Sequence, residues 1–295
     1  MNSYILHLWD GAMRIQPKYP TIEHEEASEA VVDFFSKCSD IDAVILKGSC
    51  ARGKASRDSC VDFAVLLQPK VFSKRKSVLE RKWNKFRETA EAFKSLRQMG
   101  KYSDVDLDFI DGDFKPQPRS WTSGPDEFEL EIGNSLVYTV PLLVHGDHFS
   151  QLKAKWLPYY NEKLCREKLS MVCLYCRNNL DHIPLYVNRM LYFQSFHRLY
   201  DAFREFLQAL FISRHTYPIA YDKWIREQIE DILGLPELYK QLPRLFEIEH
   251  FESQEITQKA EDLNNLLKIY VKIGKKHPHV TTNLFDNEHL DSEFF

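Results

Sequence analysis

The chain has 295 residues, 44% of them hydrophobic and 13% aromatic, enough to bury one large core or two ordinary ones. Its net charge of −4 argues against a general nucleic-acid binder, which carries a basic surplus, and leaves room for a small or cationic partner. No stretch reaches the roughly 18 apolar residues that span a bilayer, and Trp9-Asp10-Gly11 interrupts any N-terminal apolar run, so neither a membrane span nor a secretory leader is expected.

The first expected element is a helix from Glu23 to Cys38, with Ala30, Val31, Phe34 and Phe35 on one stripe. A strand follows at Ala43–Leu46, then a turn, Gly48-Ser49-Cys50-Ala51-Arg52-Gly53. A polar loop leads to a second strand, Asp62–Leu67, which stops before Pro69. The spacing of Leu79, Trp83, Phe86, Ala90, Phe93 and Leu96 predicts one long helix from about Ser73 to Met99, ended by Gly100. Its Lys and Arg residues read as a solvated face rather than a nucleic-acid patch.

The next strand, Asp104-Val105-Asp106-Leu107-Asp108-Phe109-Ile110, alternates acidic and apolar residues, so Asp104, Asp106 and Asp108 are expected on one face. Asp is depleted in strands, which makes three in one strand a functional signal. A Pro-rich link, Lys115–Arg119, leads to Asp126–Glu131, read as an acidic strand or edge. There Glu127, Glu129 and Glu131 read as a solvated edge in the first instance and as an acceptor-lining face in the second. Leu136–Val144 reads as an edge strand, because Pro141 cannot donate to a ladder. His145 and His148 read as loop residues.

From Ser150 onward the pattern is helical: Leu164–Leu180, Leu185–Ile212 with a break at Pro184, and a last helix over 255–276, followed by a polar tail. The expectation is an α/β half over 1–150, a mixed sheet flanked by helices, and an all-α helical bundle over 151–295. Six cysteines, at positions 38, 50, 60, 165, 173 and 176, read as free thiols in a reducing cytoplasm. Cys173 and Cys176 have no second pair to make a metal site with.

The turn is where chemistry is expected. A glycine lets backbone N–H groups approach a phosphate, Ser49 adds a hydroxyl donor, and Arg52 adds a planar cationic fork. Asp62 is a hard oxygen ligand suited to magnesium. Cys60, two residues before it, is a soft one that is not, and Asp58 sits on the loop at the wrong spacing to replace it.

The arrangement strand, Gly-Ser, Ala-Arg-Gly, polar loop, Cys60-Val61-Asp62 resembles the signature of the polymerase-beta-type nucleotidyltransferase superfamily, with Cys-Val-Asp where that family has Asp-x-Asp. The resemblance implies that Gly48, Ser49 and Arg52 hold the phosphates of a nucleoside triphosphate, ATP in the first instance. It implies magnesium or manganese on Asp62 and on a third acid, Asp106, with Asp108 the runner-up. Asp106 would serve as metal ligand or as base for the acceptor hydroxyl. An α/β domain followed by a helical bundle is similar to the antibiotic nucleotidyltransferases and to uncharacterised bacterial and archaeal proteins that carry a stretch like Arg214–Trp224. By that analogy Lys223 or Arg214 reaches the triphosphate from the helical half, and the acceptor is a small, possibly cationic molecule. The alternative is a nucleotide- or partner-binding module impaired by Cys60.

Overall fold

The structure is a computed structural model, and it describes residues 17–120 and 122–271. The readings made on Trp9–Gly11 and on the polar tail lie outside the described residues.

Four strands form one mixed sheet: β1 (Ala43–Lys47), β2 (Val61–Leu66), β3 (Val105–Ile110) and β4 (Val140–Val144), in the order β3-β2-β1-β4. β1 runs antiparallel to β2 and β4. β2 and β3 run parallel, and such a pair needs a crossover, here supplied by α3 (Pro69–Thr89) and α4 (Glu91–Arg97). α1 (Ile22–Ser36) precedes β1, and a single helical turn, α2 (Gly48–Arg52), joins β1 to the loop before β2.

Alternation along the strands builds two cores. Val44, Leu46, Phe63, Val65, Val105 and Phe109 point toward α1, α3 and α4. Ala43, Ile45, Ala64 and Leu66 point the other way and share a continuous core with the helical half. That half comprises α5 (Phe128–Ile132), α6 (His148–Trp156), α7 (Glu162–Asn188), α8 (Tyr192–Ser213), α9 (Pro236–Tyr239) and α10 (Glu255–Tyr270). The architecture is therefore an α/β half with helices on its sheet and an all-helical half. α6 runs through position 150, so no linker separates the two there.

Three expected elements differ, and the edge strand expected over Leu136–Val144 begins only at Val140. The long helix is two: Ala90 is extended (φ −66°, ψ 128°) between α3 and α4. The Thr89 hydroxyl donates back to the carbonyls of Lys85 and Phe86, an alternative partner that bends helices, and the break sets Phe93 edge-on to Phe86 at 5.5 Å. The acidic strand is instead α5, running on into a π-helical turn at Gly133–Val137. Phe128, Ile132 and Leu136 recur every fourth residue and are all buried, and this helical period outweighs the local alternation. Finally, α7 passes through Pro184, and the chain turns only at Arg189–Leu191, where Met190 adopts φ 58°.

Candidate functional site

The site grows from the end of β1. Ala43, Ile45 and Lys47 alternate onto the face toward the helical half, so the strand that buries Ile45 also aims Lys47 along that face. The backbone then turns at Gly48 (φ 68°) into α2, which ends at Gly53 in the left-handed conformation. Gly48 is required twice over: by its φ, and because a Cβ there would lie 2.0 Å from Oδ2 of Asp62. The glycine makes room for the carboxylate of the neighbouring strand.

Register supplies the rest. Asp62 pairs with Lys47 across β1–β2 and with Asp106 across β2–β3, so the three side chains share one row and one face. Asp108 is opposite Ala64, one pleat further along, and is ion-paired with Lys47. Asp104 does not join this face. It precedes the strand, accepts from Arg87 and Arg97 of α3 and α4 at 2.7 and 3.1 Å, and so ties the crossover to the sheet. The three-acid face is thus a two-acid face, because β3 begins one residue later than the alternation suggests.

Burial raises the pKa of Asp62; Asp106 adds to the rise, while the Cys60 hydrogen bond and the charges of Lys47 and Lys223 oppose it. The Cys60 thiol donates to Asp62 Oδ1 at 3.1 Å. Burial and the adjacent Asp62 push Cys60 up to about 12, so it is a neutral thiol at physiological pH. Cys50, from α2, is likewise pushed up to about 12 by burial and Asp62, and its thiol donates to the Cys60 carbonyl at 3.7 Å. The loop before β2 is fixed from behind: His24, fully buried, accepts from the Thr21 hydroxyl and donates its other ring N–H to the Ser59 carbonyl at 3.0 Å. Asp58 stays on that loop, held by the Ser56 hydroxyl at 2.8 Å.

A magnesium pair asks for several hard, ionised oxygens. Here the candidate donors are Asp62, Asp106 and a protonated sulfur, with Asp108 engaged by Lys47. Among the described residues, no group of three or more His, Cys, Asp or Glu side chains is arranged to hold a metal ion. This donor set does not fit a two-ion centre.

The helical half closes over the turn through the segment that precedes its second π-helical turn, Glu227–Ile232. Lys223 is exposed, and its charge acts on Asp62. It lies in a bend, and Trp224 beside it is 37% exposed. Arg52 is nearly buried: its Nε donates to Glu227 Oε1 at 3.1 Å and its guanidinium lies 4.9 Å from the centre of the Trp224 ring. Arg52 Nη2 and Glu227 Oε2 are both buried with no hydrogen-bond partner among the described residues. Arg52 therefore joins the two halves in this structure, and the Ser49 side chain remains part-exposed at the turn. Arg214 caps α8, where burial lowers its pKa and nearby Tyr270 of α10 opposes the fall.

Glu129 lines no surface. It is fully buried, accepts from the Tyr160 hydroxyl and the Gln208 amide at 2.8 Å each, and lies 3.4 Å from Lys168. Glu127 and Glu131 are exposed. His148 donates to the Asp111 carbonyl, and the Asp42 carboxylate accepts from the backbone at His148 and Phe149, so these residues anchor α6. Cys173 and Cys176 are buried in the core of α7. Sequence reasoning missed Lys47, although its place in the alternation of β1 was a usable signal. It also missed Glu227 and the exposure of Trp224, for which no local signal exists.

No family model matches the chain, and no curated protein sequence matches it. Among solved structures, a nucleotidyltransferase-like protein from Exiguobacterium sibiricum is similar over 84% of this chain and 75% of its own length, at 12% identity and a TM-score of 0.40. Among the described residues, no helix is long and apolar enough to cross a membrane.

Proposed function

We propose that this chain binds a nucleoside triphosphate, ATP in the first instance, where the Gly48–Ser49 turn meets Asp62 and Lys223, and that it does so as a nucleotide-binding module with an incomplete metal centre. The observation that supports the reading is convergence on one carboxylate. Asp62 packs against the turn glycine, pairs in register with Lys47 and Asp106, and feels Lys223 from the helical half. A triphosphate entering as its magnesium complex brings the cation that offsets Asp62 and Asp106. Ser49 and Lys223 then face phosphate oxygens, and Lys47 and Arg52 become available to them only by leaving Asp108 and Glu227. Cys60 adds no third oxygen, which is why binding is preferred to turnover here.

A second reading is favoured by the Asp62–Asp106 register alone: transfer of a nucleoside monophosphate to a hydroxyl of a small, cationic acceptor, around one magnesium or manganese ion. Calorimetric titration with Mg·ATP, paired with pyrophosphate release across a panel of hydroxylated acceptors, separates the two. Saturable binding without pyrophosphate is the expected result. Pyrophosphate release with an acceptor would establish the second reading, and absence of binding would end both. The six free thiols suit a reducing cytoplasm, which belongs to the same proposal.

A further inference from the structure

We propose that Trp224 is the stacking platform for the base of the bound nucleotide, and that the Arg52 guanidinium backs the same ring from its other face. The inference rests on the nucleotide reading above and names the part of the ligand that reading leaves unplaced.

Four observations lead to it. Trp224 is 37% exposed, whereas Trp83 and Trp156 are 4% and 8% exposed. A large indole is left in solvent only at a cost, so its exposure next to the site asks for an explanation. Second, its backbone is left-handed, at φ 60°, a conformation that is an outlier for a bulky residue and marks a position held by its surroundings. Third, those surroundings are visible. The buried side-chain amide of Gln228 accepts from the Ile219 N–H at 2.7 Å and donates to the carbonyls of Ala220 and Lys223 at 2.8 and 3.1 Å. One glutamine thereby fixes the bend that carries Lys223 and Trp224 before any ligand arrives. Fourth, Gly48 and Arg52 are four apart on α2 and so lie on the same side of that helical turn. Gly48 meets Asp62, Arg52 meets the indole at 4.9 Å, and Lys223 acts on Asp62. The ring therefore borders the same ground as the proposed phosphate groups.

A pre-positioned indole held by a cation suits a flat heteroaromatic ring. Stacking tolerates every base, and the larger ring area of a purine makes purine nucleotides the preferred class.

The test compares Mg·ATP with magnesium tripolyphosphate, which carries the phosphates and no base. The wild-type chain should bind ATP about ten- to hundredfold more tightly, the range that one stacked base confers. Trp224→Ala should bring ATP down to the tripolyphosphate level while leaving tripolyphosphate affinity unchanged. Trp224→Phe should keep most of the difference. Trp224→Leu, which still covers Arg52 with an apolar side chain, should lose it and serves as the control for folding. An unchanged ATP preference in Trp224→Ala and Trp224→Leu would overturn the assignment, as would an equal loss for both ligands, which marks a merely structural role at Arg52. Tripolyphosphate binding with no advantage for ATP would overturn the stacking and leave the phosphate site standing. If neither ligand binds the wild type, the nucleotide reading itself fails and this inference falls with it.

Discussion

The thiol of Cys60 donates a hydrogen bond to Oδ1 of Asp62 at 3.1 Å, two residues along the same strand entry. A carboxylate at position 60 would repel Asp62 unless a cation lay between them; a thiol stabilises it without one. Cys60→Asp should therefore make this half-buried acid pair depend on a cation. The variant should gain affinity for manganese, measured by calorimetry, and lose thermal stability only in the absence of the ion. A lower melting temperature with no gain in metal binding would instead mean that position 60 merely needs a small, uncharged residue.

Gly48→Ala tests the turn. Alanine at φ 68° carries a left-handed penalty of about 1–2 kcal/mol. Its Cβ must also displace the Asp62 carboxylate, which adds roughly 1–3 kcal/mol of overpacking. Urea denaturation should show a combined loss of about 2–5 kcal/mol. A loss below about 0.5 kcal/mol, the size of an ordinary surface substitution, would show that the carboxylate swings away freely.

Arg52 and Glu227 are 175 residues apart in the chain and both largely buried. Breaking such a pair from one side leaves a buried charge and costs about 3–5 kcal/mol. Arg52→Met should therefore destabilise strongly, and Arg52→Met with Glu227→Met should cost less than either substitution alone. Additive losses in the double-mutant cycle would indicate that the two groups do not depend on each other.

Glu205, fully buried in α8, should make stability fall with rising pH. Burial raises its pKa from 4.5 to about 8, against the lowering effects of the Asn179 hydrogen bond and the Arg119 charge. Its contribution is fully present below 4.5, where the folded and unfolded chains are both protonated, and is lost as the pH rises through about 8. Glu205→Gln should match the wild type near pH 5 and exceed it at pH 9, by a difference on the order of a few kcal/mol. Parallel pH profiles for the two proteins would mean that Glu205 is ionised in the fold.

The sheet was legible in the sequence because each strand declares itself locally: Val44 and Leu46 alternate with Ile45 and Lys47, and Val105 and Phe109 with Asp106 and Asp108. The same local logic misled at Glu127–Glu131, where two periods fit five residues and only the distant repeat of Phe128, Ile132 and Leu136 decides for a helix. It misled at Asp104 because the arginines that claim that carboxylate, Arg87 and Arg97, lie on helices whose placement no local pattern gives. The candidate site divides in the same way. Gly48, Asp62 and Asp106 follow from turn and register, whereas Arg52–Glu227, Cys60–Asp62 and the exposed Trp224 are tertiary relationships.

Magnesium removal bears on the same proposal from the ligand's side. On the proposed reading Asp62 and Asp106 face the ion that the triphosphate brings, so chelation of magnesium should weaken ATP binding in a calorimetric titration. It should leave the melting temperature of the free protein unchanged. Equal affinity with and without magnesium would mean that the two carboxylates do not face the nucleotide.

The most direct measurement is a crystal structure of the chain soaked with a nonhydrolysable ATP analogue and manganese. The triphosphate is expected at the Gly48–Ser49 turn, within hydrogen-bonding distance of Ser49 and Lys223, with its manganese against Asp62 and Asp106. Nucleotide density away from this turn, or an empty turn at saturating analogue, would contradict it.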